Sequence, residues 1–337
     1  MKISTLIILL CIVLKINAFG QSAQADQMQH IKDSVKMAYL SKMSIKNPSL
    51  RQASFSAEVI TKNNFDSELY DSPLLDGQIQ IQRYSAQTSF HLFSVGKNKI
   101  SATVGGEHQV FMLDDIQSYN TLIDFEERNI NKYLAKGALT ISRMDTIFSK
   151  PLVSHINLSG IVDPETGQHR LMATGLFLSS IKRTKKSHFS VGLVLSSDPS
   201  SPSPVIPFIM YSHTFDPSLE LSLGISGINL RKQLNDKSSL AFSNKLSGSL
   251  AFLQFEENIL PKESLYSSLE LQSGLTYERL ITPKMIFSFS SGINSVFSSK
   301  VLEQNKISDP FIKNHQKMTP YVKFELSFLP FWKGLFK

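Results

Sequence analysis

The sequence predicts an all-β protein, a transmembrane antiparallel up-and-down β-barrel of about 12 strands, within a range of 10–14. Three observations predict it. From about residue 50 onward the apolar residues recur with period two, so each segment has one apolar and one polar face. Several segments run ten residues or more, beyond the usual 5–6 of soluble strands and matching the roughly 9–11 needed to cross an outer membrane. Their apolar faces are almost free of charge, and a Lys or Arg facing lipid costs about 2–4 kcal/mol at mid-bilayer. A soluble β-sandwich is the competing fold. It would need the same apolar faces to meet in one dry core.

Composition narrows the class. Of 337 residues, 42% are hydrophobic and 19% charged, with 23 Phe against 1 Trp and 1 Cys. Serine makes up about one residue in seven, well above ordinary usage. So many apolar residues exclude a disordered chain. One Cys makes neither a disulfide framework nor a zinc module. Only the first twenty residues hold a long apolar run, so a helical membrane protein is excluded.

Residues 1–20 read as a secretion signal. Met1-Lys2 is a positive start, the stretch from Ile3 to Leu14 is apolar apart from Ser4 and Thr5, and Ala18-Phe19-Gly20 offers small residues for cleavage. Lys15 and Asn17 end the run too early for an anchor helix. Lipidation at Cys11 would need a small residue where Leu10 stands. Cleavage removes Lys2 and Lys15 with no acid, lowering the formal charge from +7 to about +5. The mature chain then lacks cysteine, which suits an oxidising compartment.

Residues 21–50 form an N-terminal extension, placed in the periplasm. Met28, Ile31, Val35 and Ala38 or Tyr39 stand at helical spacing between Gln27 and Met43, until Asn47-Pro48-Ser49-Leu50 stops the pattern; a loop or partly ordered extension is the reading preferred over a periplasmic helix or a lumen plug. Residues 51–337 form the barrel. On one segment Leu265, Ser267, Leu269, Leu271, Ser273, Leu275 and Tyr277 share a face opposite Tyr266, Ser268, Glu270 and Gln272. Similar stripes are Leu240, Phe242, Leu246, Leu250 and Phe252; Met285, Phe287, Phe289, Ile293 and Phe297; and Val322, Phe324, Leu326 and Phe328. Weaker alternation covers 53–60, 78–93, 99–111, 138–145, 152–162, 169–180, 188–196, 205–213 and 219–230. In 78–93 the apolar phase passes from Ile79 and Ile81 to Tyr84, Ala86 and Phe90, which predicts a bulge or break. Turn chemistry marks Gly96-Lys97-Asn98, Asp163 to Gly167 and Thr282-Pro283-Lys284. Longer polar loops are expected near 62–76, 254–264 and 298–319, the last of them external, with the carboxyl terminus periplasmic. The 112–137 stretch is mixed: Ile116, Tyr119, Leu122, Ile123 and Phe125 have a helical look, a loop or partly ordered extension is the preferred reading, and its role is left open.

Signals for chemistry are few. The sequence has no glycine-rich phosphate loop, metal-ligand cluster or nucleophile elbow, so no cofactor or metal is expected. Gly105-Gly106 reads as close strand packing. The candidate catalytic pair is His188 and Ser190, two residues apart on one strand face, where the imidazole can take the hydroxyl proton of a lipid hydrolase. With 8 His and abundant Ser, about one such pairing is expected by chance. Asp114-Asp115 reads as a solvated loop pair, or as the acids of an outer-membrane protease. His91, His108, His155 and His213 read as polar lining. The basic run from Lys182 to Lys186 reads as a hairpin turn able to meet lipopolysaccharide phosphates. Nucleic acid is not an expected partner: the charge is modest and the basic cluster lacks an aromatic platform.

The Asn47-Pro48-Ser49-Leu50 lead-in, the serine-rich strands, Pro204-Val205-Ile206-Pro207-Phe208 before a strand and the aromatic last strand together resemble the uncharacterised outer-membrane β-barrel proteins of Bacteroidota. They are more faintly similar to PorP/SprF-type barrels of a secretion machine, without that group's opening motif. The resemblance implies residence in the bacterial outer membrane, contact with outer-membrane lipid and lipopolysaccharide, insertion by the barrel-assembly machinery, and possible envelope or secretion-system partners. It carries no functional residues. The function expected is a narrow pore or structural envelope component of non-enzymatic type. An accessory barrel of a secretion system and a lipid-modifying hydrolase built on Ser190 and His188 are the alternatives.

Overall fold

A computed structural model describes residues 40–329 apart from 42, 46, 120–127, 148, 202, 226, 256–259, 305 and 307–308. The signal segment and most of the predicted extension lie outside the described residues. Fifteen antiparallel strands follow one another around a single sheet: β1 (Ala53–Leu69), β2 (Ser72–Val95), β3 (Asn98–Ser118), β4 (Arg128–Ile147), β5 (Lys150–Val162), β6 (His169–Arg183), β7 (Ser187–Ser196), β8 (Val205–Asp216), β9 (Leu219–Gly224), β10 (Gly227–Asn235), β11 (Ser238–Gln254), β12 (Glu263–Thr282), β13 (Met285–Glu303), β14 (Ile312–Gln316) and β15 (Thr319–Phe328). The sheet closes on itself, because β15 pairs with both β13 and β1. Closure leaves no free edge along that seam and rules out the sandwich. The short β14 also pairs with β1 and β13, so it shares one position with β15 and the ring has fourteen positions.

That number is the upper end of the 10–14 expected from the sequence, two above the central value of twelve. Residues 219–230 are two strands, not one. Gly227 takes φ +116°, and a Cβ there would collide with the Asn244 carbonyl, so only glycine makes this turn. The polar loop expected at 62–76 is instead the outer reach of β1 and β2, joined by a tight turn at Tyr70 and Asp71 with positive φ at both. Strand β13 likewise continues to Glu303, inside the loop expected at 298–319, and β3 runs through the 112–118 part of the mixed stretch.

The bulge or break expected within 78–93 has counterparts in the register: β1 carries an extra residue between Ile60 and Asn63, opposite Ile81 and Ile79, and β2 an extra one between His91 and Phe93; neither flips β2 between Ile81 and Tyr84. Ile79, Ile81, Arg83 and Ser85 all point inward, while Gln78, Gln80, Gln82 and then Tyr84 and Phe90 point outward along one continuous register with β3. The surroundings change, not the backbone. Near the β1–β2 turn the inside is apolar and the outside polar, and lower down the two are exchanged.

The outward face of the lower ring is apolar on every side. Exposed side chains include Phe55 on β1, Val104 on β3, Ile141 on β4, Ile156 on β5, Leu195 on β7, Ile209 on β8, Leu230 on β10, Phe242 on β11, Leu275 on β12 and Phe324 on β15. On β2 the belt spans Tyr84 to Leu92, eight residues at about 3.3 Å each, or roughly 20 Å in height for a strand tilted by about 40°. Its upper edge carries a stacked aromatic trio on the outer face: His108 lies 4.3 Å from Tyr133 and 5.9 Å from Tyr84, ring centre to ring centre. This corrects the reading of His108 as lining. His213 also faces outward, accepting or donating to Ser187 at 2.7 Å and stacking on Tyr211.

The ring is uneven. Strands β1–β4 and β11–β13 have 17–24 residues, whereas β7, β9 and β10 have 10, 6 and 9. β10 pairs with β11 only up to Lys245, so the upper half of β11 has no β10 partner. Freed from the wall, the β11–β12 hairpin leans into the interior and is buried on both faces. Phe252 and Leu265, both on the stripe read as lipid-facing, are 0% exposed and pack on Leu134, Ile161 and Met172 from β4–β6. Ala251 and Tyr266, on the other face, pack into a second cluster with Phe65, Ile81, Phe111 and Tyr321. The greasy stripes thus meet hydrocarbon-compatible surroundings in the lower ring but turn inward at the upper end of this one hairpin.

Candidate functional site

The interior is the candidate site, because it collects the buried charges. Three layers close it. At the end where β1 begins and β15 finishes, the described residues among 40–52 enter the mouth. Residues 40, 41 and 43–45 are helical, and Pro48–Leu50 forms a 3-10 turn. Ser44 and Ile45 are almost fully buried there. The Ser41 hydroxyl donates to the Pro283 carbonyl, and the Arg231 guanidinium to that of Ile45. Arg51 donates to Glu278 at 2.7 Å and to the Ser44 carbonyl at 3.3 Å, with Arg231 3.6 Å from the same carboxylate. One buried acid between two arginines therefore fastens the segment to β10 and β12. Of the extension read from the sequence, the described residues 40, 41, 43–45 and 47–52 are the part that makes these contacts.

The second layer is an ion network across the ring. Arg83 on β2 donates to both oxygens of Glu270 on β12, at 2.8 and 2.5 Å, and reaches Glu58 on β1 at 3.3 Å. Gln272 donates to Glu58 at 2.8 Å and Ser268 to Glu270 at 2.9 Å. Planar bidentate pairing of this kind is the strong form of a charge-assisted bond, and it holds opposite walls together. Gln109 on β3, 0% exposed, donates to the Leu250 carbonyl at 2.9 Å and accepts from Ser249 at 3.1 Å. It thereby satisfies part of the β11 edge that β10 leaves unpaired. Between this layer and the plug lies a polar cavity of about 420 Å³ lined by Ser56, Thr103, Lys136, Lys245, Lys323 and Glu325, among others.

The third layer is the apolar cluster at the far end, with the hairpin tip of β5–β6 drawn over it. There Arg170 donates to the Gln304 carbonyl, and the Gln304 amide donates to the His169 carbonyl at 3.1 Å. These contacts tie the β5–β6 turn to the segment between β13 and β14.

His188 and Ser190 do come together. The His188 Nε2 lies 3.2 Å from the Ser190 hydroxyl and 2.8 Å from that of Ser180, and Ser190 is buried. Both described partners of the imidazole are serines. A parallel contact joins His155 to Ser142 at 2.7 Å, so His–Ser pairing recurs along this inner wall as hydrogen-bonded lining. Asp114 forms an ion pair with Lys62 at 3.0 Å, on a strand and not in a loop, and Asp115 takes φ +51° at an irregularity of the β2–β3 register. Gly105 packs as read from the sequence: a Cβ would fall 2.7 Å from the Ala86 carbonyl. The basic turn at 184–186 lies at the end where β1 begins and β15 finishes. Among the described residues no group of three His, Cys, Asp or Glu is arranged to hold a metal.

Sequence reasoning missed Arg83, Glu58 and Gln109. Glu270 was visible as a charge on a polar face, but its partner sat in the stretch misread as a phase break.

Comparison with known structures returns likenesses of overall architecture. The translocator domain of the autotransporter NalP from Neisseria meningitidis is 8% identical, over 90% of this chain and 97% of that chain, with a TM-score of 0.31. The outer membrane protease OmpT from Escherichia coli is 10% identical, over 83% and 97%, with a TM-score of 0.25. OccK7 (OpdD) from Pseudomonas aeruginosa is 7% identical, over 83% and 100%, also at 0.25. No chemistry follows from likeness at this level. No curated protein sequence matches the chain. The model of one family, a domain of unknown function designated DUF6268, matches residues 49–329, the whole ring with its lead-in, and the chain belongs to that family.

Proposed function

We propose that this protein is a non-enzymatic outer-membrane β-barrel whose lumen is shut at rest, a structural envelope component and not an open pore. The observation that carries the proposal is the layered occlusion inside an apolar belt. Arg83 with Glu270 and Glu58, the Arg51–Glu278–Arg231 clasp and the inward β11–β12 hairpin all reach into the lumen at successive heights, and this stacking supports the closed reading. The belt argues for lipid around the ring, since a soluble protein seldom exposes a contiguous apolar surface of that extent. Orientation follows from connection length. At the end holding Ala53 and Phe328 the six connections are two or three residues long (96–97, 148–149, 184–186, 217–218, 236–237 and 283–284), while the opposite end has two that are as short (70–71 and 225–226) and five longer ones (119–127, 163–168, 197–204, 255–262 and 304–311). Short periplasmic turns and longer outer loops are the rule for such barrels. On that orientation the Lys182–Lys186 turn meets the periplasm and not lipopolysaccharide.

A lipid hydrolase is disfavoured because Ser190 is buried and His188 is held between two hydroxyls. The Bacteroidota-like features support a partner within the envelope, including an accessory role in secretion, and co-purification from crosslinked membranes tests it. The main test is planar-bilayer conductance of the full chain, with heat-modifiable gel migration as proof of folding. A heat-modifiable protein with no steady conductance fits the proposal. A folded protein that conducts steadily, without any substitution, refutes it.

A further inference from the structure

A cavity of about 380 Å³ opens at the far end of the tall side, within the roughly 300–1,000 Å³ of ordinary ligand pockets. Its walls are apolar: Phe65, Phe111, Leu113, Ile130, Leu253 and Ile312 come from five different strands. Its mouth lies where β4 passes the end of β11 without backbone pairing, beside the exposed Arg128, Asn129 and Gln254. The only charged residues among its described lining are cationic, Arg128 and Lys132, both on the inward side of β4. The other polar members, Ser67, Asn314 and Gln316, are neutral. Four residues beyond Lys132 on β4, Lys136 is matched by Glu107, whereas among the described residues no ion pair holds Arg128 or Lys132.

We propose that this cavity binds a single-chain amphiphile with an anionic head, a medium- or long-chain fatty carboxylate. Apolar walls of this extent gain from an apolar guest that displaces water from them. The acyl chain would lie among Phe65, Phe111 and Leu253, removing apolar surface from water at about 25 cal/mol per Å². The carboxylate would stay at the mouth, where Arg128 can donate two parallel N–H bonds and Lys132 adds a point charge. A neutral chain satisfies the walls but not the rim. A short acid satisfies the rim but not the walls. The site needs no water path through the barrel, so it stands or falls separately from the closed-lumen reading.

The test uses full-length protein in lipid nanodiscs, with 11-(dansylamino)undecanoate as the fluorescent probe and dodecanoate, dodecanol and butyrate as competitors. Saturable probe binding is expected, displaced by dodecanoate about tenfold more strongly than by dodecanol and not by butyrate. The R128Q/K132Q double variant should lose that preference while keeping dodecanol competition, and Ile130→Trp, which fills the cavity, should abolish both. Heat-modifiable migration checks that each variant is folded. Probe uptake that does not saturate, or that is the same in all three proteins, is partition into lipid and overturns the site. Equal competition by dodecanoate and dodecanol overturns the role of the cations.

Discussion

Phe242 and Phe252 stand on the same strand, ten residues apart, with side chains on the same nominal face of β11. The structure gives them opposite surroundings: Phe242 is 47% exposed on the outer belt, and Phe252 is 0% exposed between the hairpin and β4–β6. Truncation to alanine removes about the same apolar surface at both, worth about 2–3 kcal/mol. At 242 the surrounding lipid closes over the gap. At 252 the loss leaves a void of roughly 100 Å³, which at about 24 cal/mol per Å³ adds about 2 kcal/mol. Phe252→Ala should therefore destabilise the barrel by about 4–5 kcal/mol and Phe242→Ala by no more than about half of that, read by urea unfolding in lipid vesicles. A second readout is independent of stability. In a Trp332→Phe background, a tryptophan at 242 should be quenched strongly by lipids brominated on their acyl chains, and a tryptophan at 252 hardly at all. Equal quenching at the two positions, or equal losses of stability, would mean that the hairpin stands in the wall, and the inward fold would be wrong.

Arg83→Met strips Glu270 and Glu58 of their shared counter-charge while both stay buried, and should cost about 3–5 kcal/mol in the same unfolding assay, with much of the loss restored by Glu270→Met in the double variant. Combined Arg51→Ala and Arg231→Ala substitution releases the clasp on the N-terminal segment, so a cysteine introduced by Ser44→Cys should react with an aqueous maleimide at least about tenfold faster than in the parent background, while conductance stays absent because the other two layers remain. Gly292→Val should abolish heat-modifiable migration, because a Cβ there would sit 2.0 Å from the Ser273 carbonyl across the β12–β13 pair, where no side chain can move aside; Gly137→Ala, which meets nothing within 4 Å, is the tolerated control.

Much of the ring was legible because a barrel wall repeats one rule. Alternation at Leu240 and Phe242, or at Phe324, Leu326 and Phe328, fixes which side faces out, and the turns at Gly96 and Pro283 follow from chemistry confined to a few residues. What stayed hidden shares a single cause. Alternation records that a face is apolar, not what it touches. Ile79 and Ile81 looked like a slipped register because the lining becomes apolar above the belt, so the same inward side holds isoleucine above Arg83 and serine below it. The turn before Gly227 was invisible because its flanks, Leu223 and Ile228, both continue the greasy pattern.

The inward hairpin did leave a trace. Ser264, Ser267 and Ser268 are all buried, and Ser267 stands on the stripe of Leu265 and Leu269. A lipid-facing stripe gains nothing from a hydroxyl, whereas a packed face between two walls benefits from a small side chain. A serine adjoining another serine, so that both faces of one strand are small, is what a strand enclosed on both sides requires. The same reasoning explains why the closure lies on the tall side. Strands of 17–24 residues exceed what the belt needs, and their surplus length must bury apolar surface against something other than lipid. Where β10 ends early, the only surface within reach is the interior of the ring itself. The occlusion of the lumen and the apolar cavity above it are thus two consequences of one mismatch in strand length between neighbouring parts of a single sheet.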